Sequence, residues 1–353
     1  MVASRRAGQI TKIMFRIAAS DLDEIVRLAA PDFERLRGAR IFLTGGTGFF
    51  GKWLLAAFDR AERELKLGLN ITILSRHPAR FATQWPEVKS RPGWKLFEGH
   101  VAELPALLER FDYVLHAAAD APTQPNEAAE AERSRSIVEG TRRVLALAER
   151  PDTKRLLFIS SGAVYGEATG KPEGASERDY YRARAAMAYG TAKRAAELAC
   201  EQSEADYNIA RAFAFLGPHL PLDQNFAAGN FIRDALRGGP IEVRGDGTAL
   251  RSYLYPTDLV VWLIAILTRG HLDTAYNVGS DEVVSTAELA RLIADEVRPA
   301  PEVVIQAREK LQGPQNVYLP NIARAKEELG LRVTVPLREA IRRMLAFHQA
   351  APK

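Results

Sequence analysis

The stretch Leu43-Thr44-Gly45-Gly46-Thr47-Gly48-Phe49-Phe50-Gly51-Lys52 constrains this chain more than any other, because glycines at that spacing suit few structures. A short apolar run, Ala39 to Leu43, precedes it and reads as a buried strand, while Trp53 to Phe58 reads as the apolar side of a helix. Strand, glycine turn and helix in that order make a phosphate-binding elbow. Gly45 can take the backbone angles of the tight turn, Gly48 lets the chain approach a pyrophosphate with no Cβ between, and Gly51 lets helix and strand pack closely. The helix N-terminus adds unpaired N–H groups and a partial positive charge. A glycine-rich turn between two core elements is the plainer alternative. The flanking strand and helix favour a dinucleotide, held by Gly45, Thr47, Gly48, Phe49, Phe50 and Gly51.

Beyond the elbow, short apolar strands alternate with helices. Asn70 to Arg76, Trp94 to Glu98, Asp112 to His116 and Arg155 to Gly162 read as strands, and Ile137 to Arg150 as a helix stopped by Pro151. This alternation predicts an α/β fold with a Rossmann-type doubly wound parallel sheet. From Leu216 on, Gly217-Pro218, Pro221, Gly229, Gly238-Gly239-Pro240 and Gly245-Asp246-Gly247 interrupt the pattern. A smaller mixed α/β substrate lobe at the C-terminal side of the sheet is the expectation.

The chain then divides into an N-terminal helical extension (1–37), a dinucleotide-binding Rossmann domain (38–216, with 250–280 returning to it) and a substrate-binding lobe (217–249 and 281–353). The extension carries Leu22, Ile25, Val26, Leu28, Phe33 and Leu36 at helical spacing. Tyr276 to Gly279 reads as a strand returning to the sheet, and the remaining tail as helical.

The tip of the second strand bears on the cofactor. In dinucleotide folds an acidic residue there binds the ribose 2′-hydroxyl, and a basic one suits a 2′-phosphate. Ser75-Arg76 followed by His77 offers no carboxylate, which favours NADP over NAD, although an exposed arginine at a strand end is common without a ligand. Ala117 and Ala118, after the fourth strand, leave room for a flat cofactor or equally for tight packing.

Composition excludes several classes. With 47% hydrophobic and 26% charged residues, 353 residues suffice for a large core. The formal charge of +4 is interspersed, with no basic stripe carrying aromatics, so nucleic acid is not the expected partner. Cys200 is the sole cysteine, which removes disulfides and cysteine-rich metal sites, makes a small buried thiol the expectation and fits a reducing cytoplasm. No metal is expected. The first apolar segments are too short and too charged for a signal peptide or a membrane span.

Tyr189 and Lys193 lie four residues apart among strong helix formers, so they share one face. A free tyrosine titrates near 10, and a neighbouring ammonium stabilises its phenolate, making a base. Lys193 could also hold the nicotinamide ribose. A surface helix pair is the alternative. Ser161 ends the strand Arg155 to Gly162, where ligands of open α/β sheets bind, and its hydroxyl could hold a substrate oxygen beside Tyr189 or cap a turn.

Taken together, Thr44 to Gly51, Ser160-Ser161-Gly162-Ala163-Val164-Tyr165-Gly166, Tyr189 to Lys193, Arg211-Ala212-Phe213, Leu216-Gly217-Pro218, Arg251-Ser252-Tyr253-Leu254-Tyr255 with Asp258, and Tyr276 to Gly279 resemble the extended short-chain dehydrogenases/reductases. The likeness is to their nucleotide-sugar epimerase/dehydratase branch, from about residue 39 to the C-terminus. It implies an enzyme acting on a nucleotide-diphosphate sugar, with Ser161, Tyr189 and Lys193 catalytic, Ser161 and Arg251 on the substrate, and a homodimer. Tyr189 would take the sugar hydroxyl proton as hydride passes to the nicotinamide, giving a keto sugar.

The departures narrow the chemistry. Gly162-Ala163 stands where dehydratases carry Asp-Glu, which disfavours 4,6-dehydration and leaves an epimerase or, next, an NADPH-dependent 4-ketosugar reductase. Gly99-His100 replaces Gly-Asp, Ile137 and Ala214 replace asparagines, and Asn316 stands about where an arginine is frequent. A protein that binds NAD(P) only as a sensor or scaffold would not need the Ser161, Tyr189 and Lys193 trio.

Overall fold

The computed structural model describes residues 16–118, 127–171, 173–181, 187–224, 226–307 and 316–350; residues 1–15 of the expected extension and Ala119 lie outside them. The first half runs α1 (Ala19–Glu34), β1 (Arg40–Thr44), α2 (Phe49–Leu65), β2 (Asn70–Ser75), α3 (Pro78–Gln84), β3 (Trp94–Glu98), β4 (Tyr113–His116), α4 (Glu127–Ala148) and β5 (Arg155–Ser161). It continues with α5 (Ala188–Glu201), β6 (Tyr207–Ala212), α6 (Ala227–Leu236), β7 (Ile241–Val243), β8 (Leu250–Ser252), α7 (Pro256–Arg269) and β9 (Thr274–Val278). The tail holds β10 (Val283–Ser285), α8 (Thr286–Asp295), β11 (Val303–Ile305), β12 (Val317–Tyr318), α9 (Ala323–Leu329) and α10 (Leu337–Gln349).

Seven parallel strands form the main sheet in the order β3-β2-β1-β4-β5-β6-β9. Strands β1, β4 and β5 carry mostly apolar runs because both faces of the sheet are covered. Ile41 and Leu43 pack into the core shared with α1, α2 and α7, whereas Phe42 between them points to the opposite face, against α4 and α5. Leu157 and Ile159 of β5 likewise face the first layer, with Leu156 and Phe158 facing the second. Strand order reverses direction between β1 and β4, and the crevice beyond their carboxyl ends is where ligands of such sheets bind.

The mixed lobe holds helices α8 and α9 where expected, and beside them short strands that the reading of the tail as helical did not include. β8 joins β10 and β12 in a three-stranded sheet, and β7 pairs with β11. These strands span two or three residues, too few for a period of two to emerge. β6 also escaped notice, since Asn208 and Arg211 make it look polar although all six residues are buried.

Helix α1 is clamped on α7 and α10 by charge. Buried Asp21 accepts from the Tyr255 hydroxyl and from Arg343 Nη1, both at 2.7 Å, and Arg269 Nε donates to Asp32 at 2.6 Å. Among the described residues no helix is long and apolar enough to cross a membrane.

Candidate functional site

At the elbow the three glycines meet three different requirements. Gly45 has φ +72°, and a Cβ there would lie 2.6 Å from the Ala117 carbonyl carbon. A Cβ on Gly51 would come within 2.2 Å of the Gly45 carbonyl oxygen, so β1 and α2 could not approach as they do. Gly48 is exposed and its nearest obstacle is 3.4 Å away, so its surface is open toward a ligand. α2 begins at Phe49, with Thr47 exposed beside it and Phe49 and Phe50 packed on Phe215. A cradle of this shape fits a pyrophosphate.

A buried hydroxyl–imidazole string holds the tips of β1 and β4 together. The Thr141 hydroxyl donates to the Ile137 carbonyl oxygen at 2.8 Å, so the His116 ring must donate from Nε2 to Thr141 Oγ1, 3.1 Å away. His116 Nδ1 then accepts from Thr44 Oγ1 at 2.8 Å, and Thr44 Oγ1 accepts from the Ala118 N–H at 3.1 Å. Burial, with the Lys193 charge nearby, lowers the His116 pKa to about 3, so the ring stays neutral. The run Ala117-Ala118 is thereby fixed against the elbow.

At the end of β2, Ser75 is buried and its hydroxyl accepts from the His77 N–H at 3.2 Å, turned toward its own backbone. Arg76 is exposed beside it.

Ser161, Tyr189 and Lys193 converge at the carboxyl end of β5. The Ser161 hydroxyl lies between the Tyr189 and Tyr318 phenols, where it favours the ionised form of each, and it accepts from the Ala163 N–H at 3.2 Å. Burial raises the Tyr189 pKa, opposed by Arg133 and by the Ser161 hydroxyl. The cation on the phenol ring is Arg133 of α4, whose guanidinium carbon stands 4.0 Å from the ring centroid.

Lys193 is only 2% exposed, which excludes a surface helix pair. Its Nζ donates to the Ile159 carbonyl oxygen at 2.8 Å and lies 4.7 Å over the Phe158 ring. Burial brings its pKa down to about 7, with Glu197 opposing. Cys200 is buried, and burial pushes its thiol pKa up.

Arg251 reaches the same site through Tyr318, its register partner on β12. Its guanidinium lies 5.7 Å from the Tyr318 ring and donates to the carbonyl oxygens of Leu250 (2.7 Å) and Asn316 (3.1 Å). Burial lowers its pKa. One line of contacts thus runs Arg251, Tyr318, Ser161, Tyr189, Arg133, drawn from β8, β12, β5, α5 and α4.

Gly162 has a packing reason to be glycine. A Cβ there would lie 2.7 Å from the Phe213 ring, so an aspartate would need that ring displaced. Among the described residues no cluster of His, Cys, Asp or Glu could hold a metal ion.

Tyr318, Arg133 and His116 were not singled out from sequence. Arg133 carried a faint signal, standing one turn before Ile137 on the buried side of α4, whereas Tyr318 sits in a two-residue strand with no pattern around it.

Comparison with known proteins adds the wider context. The model of the "NAD dependent epimerase/dehydratase family" matches residues 41–279. UDP-glucuronic acid decarboxylase 1 of Arabidopsis thaliana is 28% identical over 316 residues, 87% of this chain and 69% of that protein. MoeE5 in complex with UDP-glucose and NAD is 25% identical, with a TM-score of 0.69 over 88% of this chain and 98% of that one. UDP-glucose 4-epimerase of Thermotoga maritima, 20% identical, shares the fold with a TM-score of 0.72 over 88% and 98% of the two chains.

Proposed function

The chain belongs to the NAD dependent epimerase/dehydratase family, and from that premise we propose that it is a nucleotide-sugar epimerase working through a transient keto sugar. It is an NAD-dependent enzyme of the class that acts on sugar nucleotides. The observation that supports the finer reading is the juxtaposition of Ser161 and Tyr189 at the carboxyl end of β5, across the switch point from the elbow.

A bound nicotinamide supplies the hydride acceptor and donor; every other part is played by the chain. Gly45 to Gly51 and the start of α2 hold the pyrophosphate, Arg76 faces the adenosine ribose with Ser75 bracing the turn behind it, Ala117 and Ala118 lie beside the cofactor, and Lys193 reaches the nicotinamide ribose. The tip without a carboxylate favours NADP; NAD also fits. Ser161 positions the sugar hydroxyl and Tyr189 takes its proton. Arg251 takes the substrate diphosphate. Gly162 and Ala163 supply neither acid nor base, which weighs against dehydration.

A second reading is decarboxylation of a nucleotide uronate, favoured by the 28% identity to UDP-glucuronic acid decarboxylase 1. Oxidising the carbon β to a carboxylate gives a β-keto acid, which loses carbon dioxide without an Asp-Glu pair. The quaternary state proposed is a homodimer through the face of α4 and α5, where Leu198 is 47% exposed. A cytoplasmic location goes with this reading.

The test is to denature the purified protein, identify any released dinucleotide, and offer UDP-glucose and UDP-glucuronate to the native enzyme. Bound cofactor, no net absorbance change and an inverted product support epimerisation; released carbon dioxide moves the reading to decarboxylation. Turnover that needs added NADPH moves it to a reductase, and failure to bind any dinucleotide sinks it.

A further inference from the structure

Cations around the site differ in how they are engaged. Lys193 donates to the Ile159 carbonyl oxygen, and Arg251 donates to two backbone carbonyls beside Tyr318. Arg133 lies over the ring of the reacting phenol, its guanidinium carbon 4.0 Å from the centroid, and its side chain is 19% exposed. Its Nε is buried without a hydrogen-bond partner among the described residues, and its ionic neighbour Glu130 stands off at 3.8 Å. A guanidinium has five N–H donors in a planar fork and binds carboxylate in a paired, charge-assisted manner.

The candidate anions can be sorted by place. Cofactor phosphates belong at the elbow, at the start of α2, and the substrate diphosphate belongs with Arg251 at the Tyr318 end. Tyr189 and Ser161 are where the sugar ring must sit if the nucleotide-sugar reading holds. An anion that reaches Arg133 must therefore be carried on the sugar itself.

We propose that Arg133 is a specificity-determining residue of this site: its fork receives a carboxylate on the sugar ring, so that the favoured substrate is a nucleoside-diphosphate hexuronate. The proposal rests on the nucleotide-sugar reading. A neutral hexose leaves a buried donor unpaired beside the phenol, so discrimination comes as much from the penalty on the wrong sugar as from attraction to the right one. The same stacking places positive charge on the Tyr189 ring, where it opposes the effect of burial on the phenol.

The experiment compares UDP-glucuronate with UDP-glucose, in binding and in kcat/KM, on the cofactor-loaded wild type and on Arg133→Gln and Arg133→Lys. Expected is a wild-type preference for the uronate that shrinks on the order of 10- to 100-fold in Arg133→Gln. Arg133→Lys, which keeps charge but not the fork, should recover part of it. A purely structural or phenol-tuning role would lower both sugars alike, and that equal loss overturns the proposal, as does a wild type that prefers UDP-glucose. A protein that binds cofactor but neither sugar nucleotide overturns the nucleotide-sugar reading and this one with it, whereas turnover of UDP-glucose alone overturns only this one.

Discussion

Two single-methyl substitutions in the elbow should have opposite consequences. In Gly51→Ala the new Cβ would sit 2.2 Å from the Gly45 carbonyl oxygen and 2.4 Å from Gly46 Cα. That is more than 1 Å short of ordinary contact, and the obstacles are backbone, so α2 must back away from β1. Overpacking of this kind costs about 1–3 kcal/mol in the apo protein. In Gly48→Ala the backbone, at φ −78° and ψ −178°, suits alanine, and the nearest neighbour is 3.4 Å away. Loss of a tolerable N-cap glycine should cost the apo protein only about 0.5 kcal/mol. The methyl instead projects where the pyrophosphate must approach, putting about 1.5–3 kcal/mol of charge-assisted hydrogen bonding at risk, or roughly 10- to 100-fold in affinity. Urea unfolding of the apo proteins and calorimetric titration with NAD and NADP read the two effects apart. If Gly48→Ala keeps its dinucleotide affinity within about twofold, or loses as much apo stability as Gly51→Ala, the cradle is wrongly assigned.

Tyr189→Phe should lower kcat by about 100-fold or more while leaving cofactor binding intact, and full activity in this variant would remove Tyr189 from the chemistry. Lys193 titrates at about 7 in the folded protein against 10.5 as a free side chain, so between those values the unfolded chain holds the extra proton and stability rises with pH. The unfolding free energy of wild type minus Lys193→Met should therefore climb from pH 7 to pH 10; a flat difference would show that the amine is not buried as described. Tyr255→Phe deletes the hydroxyl that donates to buried Asp21, and about 1–3 kcal/mol should be lost in urea unfolding. No loss would mean that α1 is not clamped through this contact.

How far the sequence can be read follows from how local each requirement is. The elbow was legible because Gly45 and Gly51 answer to atoms a few residues away or on the adjoining strand, and the inner strands because burial on both faces leaves continuous apolar runs. β6 was hidden by Asn208 and Arg211, whose polar groups are satisfied only by distant partners: Asn208 by the His271 carbonyl oxygen, Arg211 by Glu197. The β8, β10 and β12 sheet was hidden by its brevity. For the site, Ser161, Tyr189 and Lys193 were legible as types at a spacing, but not what each would touch. The expected ammonium beside the phenol is replaced at the ring by Arg133, because Lys193 turns to the Ile159 carbonyl oxygen.

The spacing on α5 nevertheless says more than the motif does. Tyr189, Lys193 and Glu197 recur every four residues and so form one stripe about 12 Å long, from the reacting phenol to the base of the site. At its lower end Glu197 is fully buried, accepting from Ser160 of β5 and from Arg211 of β6, with Arg211 Nη2 at 2.7 Å. Arg211 Nη1 in turn donates to the Tyr165 hydroxyl at 3.0 Å, and that hydroxyl donates to Asn277 of β9 at 2.7 Å. Three strands are thus tied to one helix by groups that would be costly to leave unpaired, which favours a single register of α5 on the sheet. The upper end of the stripe inherits that register: with Glu197 anchored, Lys193 lies against the end of β5, donating to the Ile159 carbonyl oxygen, and Tyr189 lies beside Ser161. The phenol's position is therefore set largely by a buried ion pair two helical turns away.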